Sequence, residues 1–337
     1  MSKPLETVTR TLPGFSTTPR WAVASVLDAV VSRDGSLVAF TTIHNRFVIA
    51  AAATGKQLSQ TTLDGVQSGI QDTVVDGKAA FLAVTATSVY AWIGVAAPVR
   101  VGLPAGMVVH VRGHGAPMVG PGDGRQVSVL TGGGLVPFTP PSGNNVGAPS
   151  ALMATTTGEV LWATWDHRVL TGTPAGTVTA QITLAAPAAD ASLSGWVGVE
   201  GSSVVTVWST PGGLTLVTHS LSSGQVTGQQ PVASTPAVLK TTSGGDFLMA
   251  GNTLIRTATG AVTVPDPAFV PAASLGATFY GSRGTQTALL DPATNAVTTV
   301  QPPTVTPIGI TSKGLLITLT ASHLQAYNPA PAGGRHR

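Results

Sequence analysis

Charged residues make up only 9% of this 337-residue chain, so the few side chains able to do chemistry stand out by position. The densest polar group is Trp165-Asp166-His167-Arg168. A Trp beside an ion pair in a turn has the composition of a contact hot spot for a protein or glycan. It also has the composition of a turn whose Asp caps the backbone while the Trp packs inward. Asp28, Asp72 and His110 are polar positions in Val26-Leu27-Asp28-Ala29, Ile70-Gln71-Asp72-Thr73 and Val108-Val109-His110-Val111, and Lys240 is a fourth such position. Two carboxylates and an imidazole suit a divalent cation or acid–base work; as water-facing groups they only make hydrogen bonds. His110 and His114 have helical metal spacing, but in extended chain they stand ~13 Å apart, too far for one ion.

Other chemistries lack their parts. No Gly-x-Ser-x-Gly elbow precedes a helix. The Gly-rich pieces Thr131-Gly132-Gly133-Gly134 and Gly120-Pro121-Gly122-Asp123-Gly124 read as hairpin turns, without the helix a phosphate cradle needs. The absence of cysteine excludes disulfides, thiolate chemistry and Cys–zinc sites. No catalytic residue, metal site or cofactor is assigned.

The elements that position these residues are strands. The 40 glycines and 25 prolines fall every few residues, which forbids long helices, and the Thr and Val between them favour a pleated surface. Apolar residues are 43% of the chain, enough for a sizeable core. The 17 basic residues are scattered and not interleaved with aromatics, which argues against nucleic acid despite the net charge of +3. Met1-Ser2-Lys3-Pro4-Leu5-Glu6 is not a signal peptide, so an exported protein would have its leader or anchor outside this chain. The uncharged stretch Ala79–Val99 is broken by Thr85, Thr87, Ser88 and Pro98 and reads as a hairpin, not a membrane span.

One pattern recurs along the chain: an extended stretch, a Gly turn, an apolar strand, a polar turn, a second strand, another Gly turn and a last strand. First strands begin near Val23, Val66, Met107, Pro149, Leu193, Thr235, Val270 and Val305. Four short strands need ~40 residues, the spacing of propeller blades. The expectation is an all-β, closed β-propeller over 1–328 with eight four-stranded blades, seven being the alternative if one short unit is incomplete. Residues 329–337 read as a flexible Pro/Ala/Gly/Arg tail. The last unit lacks a fourth strand and Leu5–Leu12 is a spare one, so the N-terminal strand is expected to pair with Leu324–Tyr327 and close the ring.

The turns into the last strands carry a family resemblance. Ala52-Ala53-Thr54-Gly55-Lys56-Gln57-Leu58, Ser220-Leu221-Ser222-Ser223-Gly224-Gln225-Val226, Thr257-Ala258-Thr259-Gly260-Ala261-Val262 and Asp291-Pro292-Ala293-Thr294-Asn295-Ala296-Val297 resemble the Asp-x-x-Thr-Gly-Lys-x-Leu segment of quinoprotein-like (PQQ-like) propeller repeats. The Trp that often follows in that family is absent after each turn. The resemblance implies a propeller; it does not imply a quinone cofactor.

In a propeller the second-to-third turns share one face with the connections between blades, where ligands often bind. His44, Arg46, Asp123, Arg125, Trp165, Asp166, His167, Arg168 and His323 fall in or beside those turns and are the candidate binding residues. Asp28, Asp72 and His110 are expected to line the channel. The leading expectation is a non-enzymatic binding or scaffold propeller outside the cytoplasm, with a protein or glycan partner. The alternatives are a structural protein of a virion or surface assembly, and a channel-mouth lyase or hydrolase with a divalent cation.

Overall fold

The computed structural model describes residues 9–65, 67–111, 115–142, 149–155, 158–236, 238–239, 246–320 and 322–331. Every regular element among them is a strand, and the strands form eight four-stranded antiparallel sheets, the blades of a β-propeller. First strands begin at Val26, Gln67, Met107, Ser150, Ser192, Val238, Phe269 and Thr306, each within three residues of the position expected from the repeat. The chain forms two compact units. Met1–Thr62 and Ala268–Arg337 carry blades one, seven and eight; Leu63–Thr241 and Gly245–Pro267 carry blades two to six.

Seven blades take four consecutive strands. The eighth takes Thr306–Ile310, Leu316–Thr320 and His323–Pro329, and its outer strand is Phe15–Ala24 from the N-terminal part of the chain. Closure by an N-terminal strand therefore holds, but the segment differs from the expected Leu5–Leu12. Leu5–Val8 lie outside the described residues, and Leu12 is buried against Leu275, Leu316 and Tyr327 without being in a strand. Gly14, at φ +88°, turns the chain, and Phe15 donates its N–H back to Leu12 O.

Two features disguise the closing strand. Pro19 sits inside it, which only an edge strand tolerates. The strand also runs without Gly or Pro into the first strand of blade one, Val26–Val31. The two are separated by Ser25 alone, in left-handed conformation at φ +63°.

Second and third strands hold most of the core, because within each unit their faces pack against adjacent blades. Val38, Phe40, Leu82, Leu161, Val205, Val207, Leu248 and Leu316 are buried as second-strand residues, and Leu37 is half-buried. Trp92, Trp162 and Trp208 are fully buried. Ala79–Val99 is the expected hairpin, spanning Lys78–Thr85 and Ser88–Ile93. Most first strands carry a bulge near their start, as between Val26 and Asp28 or Pro307 and Gly309. A bulge re-aims the side chains that follow, so inward or outward facing cannot be counted from strand starts.

The turns singled out for their Thr-Gly pattern share one geometry. Gly55, Gly224 and Gly260 have φ between +69° and +72°, and Asn295 takes the same place at +59°. The three glycine N–H groups donate to Ala51 O, Ser220 O and Arg256 O at 2.8 Å. Glycine or Asn is there because the turn needs a left-handed residue.

Candidate functional site

All the candidate binding residues lie in or beside second-to-third turns, and two of those turns have the same construction. In blade one it is Thr42-Ile43-His44-Asn45-Arg46, in blade four Thr164-Trp165-Asp166-His167-Arg168. Asn45 and His167 both sit at φ +54°. Their N–H groups donate to Thr42 O and Thr164 O at 3.1 and 3.2 Å. The arginine N–H groups of Arg46 and Arg168 donate to the Oγ1 of the leading threonine at 3.4 and 3.1 Å. Each turn carries a large apolar side chain at its second position: Ile43 is 50% exposed and Trp165 is 67% exposed.

The blade-four turn is braced from within. Arg168 Nη2 lies 2.5 Å from Asp166 Oδ2, and Thr164 Oγ1 donates to Asp166 Oδ1. The Arg168 hydrogen bond, helped by that of Thr164 and opposed by partial burial, holds the Asp166 carboxyl below the usual range. Arg168 Nη1 also donates to Gln181 Oε1 on the fourth strand of the blade at 3.4 Å. The Arg168 side chain is 15% exposed against 49% for Asp166, so the arginine supports the turn and Trp165 is what the turn displays. His167 is fixed as well: its Nδ1–H donates to Leu184 O at 3.0 Å, and Leu184 N–H donates to His167 O at 2.9 Å. A turn with this many internal bonds presents its tip with little motion left to lose.

The remaining candidates are simpler. Arg125 Nε stands 3.6 Å from Asp123 Oδ2 with both side chains more than half exposed, a pair worth little. His44, Arg46 and His323 are exposed, and His323 pairs across the ladder with Ala24 of the closing strand. Asp28, Asp72 and His110 do lie on first strands, half-buried. Asp28 Oδ1 accepts the N–H of Ala29 at 2.8 Å, and His110 Nε2–H donates to Pro121 O at 3.1 Å. Among the described residues no three His, Asp or Glu side chains converge closely enough to hold a metal ion. His114 and Lys240 lie outside the described residues.

Three arrangements escaped sequence reasoning. Trp21, on the closing strand, lays its indole against Gly55 of blade one and donates Nε1–H to Ala52 O at 3.1 Å. His219, fully buried in blade five, stands beside Trp208 and Thr206. Asp64, between blades one and two in sequence, accepts hydrogen bonds from Thr85 Oγ1 at 2.9 Å, Ser88 Oγ at 2.6 Å and Arg100 Nη2 at 2.5 Å. Those bonds, the Ser88 one foremost, hold its carboxyl far below the usual range.

Because the Asp64 pKa is lowered on folding, its contribution is present above the unfolded value near 3.8 and fades as pH falls through the folded one. Asp64→Asn is expected to lower the melting temperature at neutral pH, with the gap to wild type closing in strong acid. A gap independent of pH, measured by calorimetry, would remove the carboxylate from this account.

No family model matches the chain, and no curated protein does. Solved structures match in fold. The C-terminal WD40 domain of Sif2 is 10% identical with a TM-score of 0.55, over 93% of this chain and 98% of that one. BamB from Moraxella catarrhalis is 13% identical with a TM-score of 0.53, over 95% and 99%. At such identities the likeness shows the fold alone: the chain is a β-propeller. Among the described residues no helix is long and apolar enough to cross a membrane.

Proposed function

We propose that this chain is a non-enzymatic binding propeller, working outside the cytoplasm, that recognises a protein partner through its second-to-third turns. The observation that carries this reading is Trp165, 67% exposed at the tip of a turn held rigid by its own polar groups. An exposed indole is unfavourable in water and is the residue type most enriched in contact hot spots. A tip already ordered before binding loses little entropy on contact. Thr164, Asp166 and Arg168 are engaged with one another, so the turn offers an apolar ring with few polar groups to spare, which suits a protein pocket better than a glycan. Ile43, displayed by the matching turn of blade one, repeats the device.

The scarcity of charge and the resemblance of the Thr-Gly turns to quinoprotein-like repeats support an extracytoplasmic propeller, and the BamB and WD40 likeness is compatible with a scaffold role. Crosslinking in the native source would identify the partner, whose affinity is then titrated. Trp165→Ala should fold as wild type does, since surface changes stay within ~0.5 kcal/mol. It should weaken binding at least about 30-fold, the size of a 2 kcal/mol hot spot. Affinity unchanged within about twofold would move the contact elsewhere.

A further inference from the structure

The closing strand Phe15–Ala24 reaches the blade it leads into through one strained residue. Ser25 alone separates it from Val26–Val31, at φ +63°. Among the described residues six besides glycine have positive φ, and Asn45, Asp76, His167 and Asn295 are types that enter this region readily. The other two are serines, Ser25 and Ser322 at φ +65°, and they meet at this joint. Val26 N–H donates to Ser322 O, and Ile43 N–H donates to Ser25 O, each at 3.0 Å. Serine has no such tolerance, so Ser25 carries the cost of a left-handed Cβ for as long as the chain folds back here.

A link this short has two settings. With Ser25 left-handed, the closing strand turns back onto His323–Pro329 of its own blade eight. With Ser25 extended, residues 15–31 become one straight strand, and the closing segment points away from that blade. One residue gives no slack for a path between the two. Blade eight then lacks its outer strand, and a second copy of this chain carries the segment whose side chains fit. The fit is specific: Trp21 pairs with Ala326 and Val23 with Leu324 across the ladder, while the Trp21 indole covers Gly55 and bonds Ala52 O. A strand from the second copy restores all of these. The exchange gives up the two hydrogen bonds at Ser25 and Val26 and relieves the left-handed strain in both copies. Short hinges under strain are the ones that exchange.

We propose that Phe15–Ala24 is exchanged between two copies of this chain, each closing blade eight of the other, with Ser25 as the hinge. The strand is built to leave. None of its ten residues is fully buried. Pro19 offers the ladder no N–H, and the register slips on both sides of it, between Phe15 and Pro19 and between Pro19 and Trp21. Its partner strand His323–Pro329, by contrast, buries Leu324, Ala326 and Tyr327. Local opening therefore begins at the closing strand and leaves the rest of blade eight in place. Open chains close again on themselves when dilute and on each other when concentrated. The exchange rests on how blade eight is closed and not on the reading of Trp165 as a contact.

The chain has no cysteine, so a pair placed across the ladder reports which copy supplies the strand. Ala22→Cys with Gln325→Cys stands at directly paired positions. The full chain is concentrated, held just below the onset of unfolding, then sized by chromatography with light scattering. Wild type should give a dimer that survives dilution in the cold, and oxidation of the cysteine pair in that dimer should link two chains covalently. The monomer should close its disulfide within one chain. Ser25→Gly meets φ +63° without penalty and, with two hinges per dimer, should lower the association constant about 30-fold or more. Ser25→Pro, its φ fixed at about −65°, should be dimeric throughout. If Ser25→Pro fails to fold, Ser25→Val serves: a β-branched residue is disfavoured at positive φ and should raise the dimer share. A wild type that stays monomeric, a dimer whose cysteines close only within chains, or a dimer share unmoved by Ser25→Gly overturns the exchange.

Discussion

Deleting residues 1–24 should abolish cooperative unfolding, whereas deleting residues 1–13 should leave a weakened but cooperative transition. The larger cut removes Phe15–Ala24, the outer strand of blade eight, and with it the ladder to His323–Pro329. Trp21 and Val23 pack against the cluster of Val26, Phe40, Val48, Leu324 and Ala326, which spans blades eight and one. Trp21 also supplies the indole over Gly55 and the bond to Ala52 O. Each lost ladder bond is worth ~0.5–1.5 kcal/mol net, and the uncovered core adds more. The sum exceeds about 5 kcal/mol, the whole stability of many domains.

The exposed edge of His323–Pro329 would also invite pairing with another chain. The smaller cut removes Leu12 from its place against Leu275, Leu316 and Tyr327, a loss of about 2–5 kcal/mol for a buried leucine, and keeps the strand. A synthetic peptide of residues 15–24 added to the 1–24 deletion should restore part of the transition. Denaturant melts read by circular dichroism decide it. Equal transitions for the two deletions would place the closing strand elsewhere.

The blade spacing was readable because four strands and three turns repeat with little variation, and the turns announce themselves by Gly and Asn. The closing strand was misplaced by about ten residues for a physical reason. Leu5–Pro13 and Phe15–Ala24 both alternate, and the joint at Ser25 has no Gly or Pro to mark a left-handed residue. The candidate turns lie between second and third strands because a turn position follows from the repeat. The division of labour inside them was not legible: Arg168 and Trp165 look equally available in sequence, and only packing makes one a brace and the other a tip. His167, Trp208 and His219 come together across two blades, and nothing local in the sequence links them. The Asp64 clasp likewise gathers Thr85, Ser88 and Arg100 from different strands.

Gly224→Ala should cost more than about 3 kcal/mol, while the formally equivalent Asn295→Ala costs about 1. Both positions are left-handed, so any L side chain without special tolerance carries a penalty of ~1–2 kcal/mol. Gly224 has a second constraint. A Cβ there would lie 2.1 Å from the carbonyl oxygen of Thr183 and 2.9 Å from its carbon, and backbone in a paired strand cannot step aside as a side chain can. Gly260 faces the Thr227 Oγ1 at 2.0 Å and Gly55 faces the Trp21 ring at 2.8 Å, so their alanine variants should fall between the two extremes.

Relief at Gly224 requires blade five to retreat from blade four, which stretches the bond from Ala185 N–H to Gly224 O, now 2.9 Å. That bond secures a connection that two histidines also hold, His167 Nδ1–H donating to Leu184 O and His219 Nε2–H to Ala185 O, each at 3.0 Å. Gly224→Ala should therefore also lower the amide protection of Ala185 at neutral pH, which a purely local strain would not do. Urea melts of the four variants give the order. A loss at Gly224 no larger than at Asn295 would mean that the turn can back away from Thr183 without disturbing the joint between the blades.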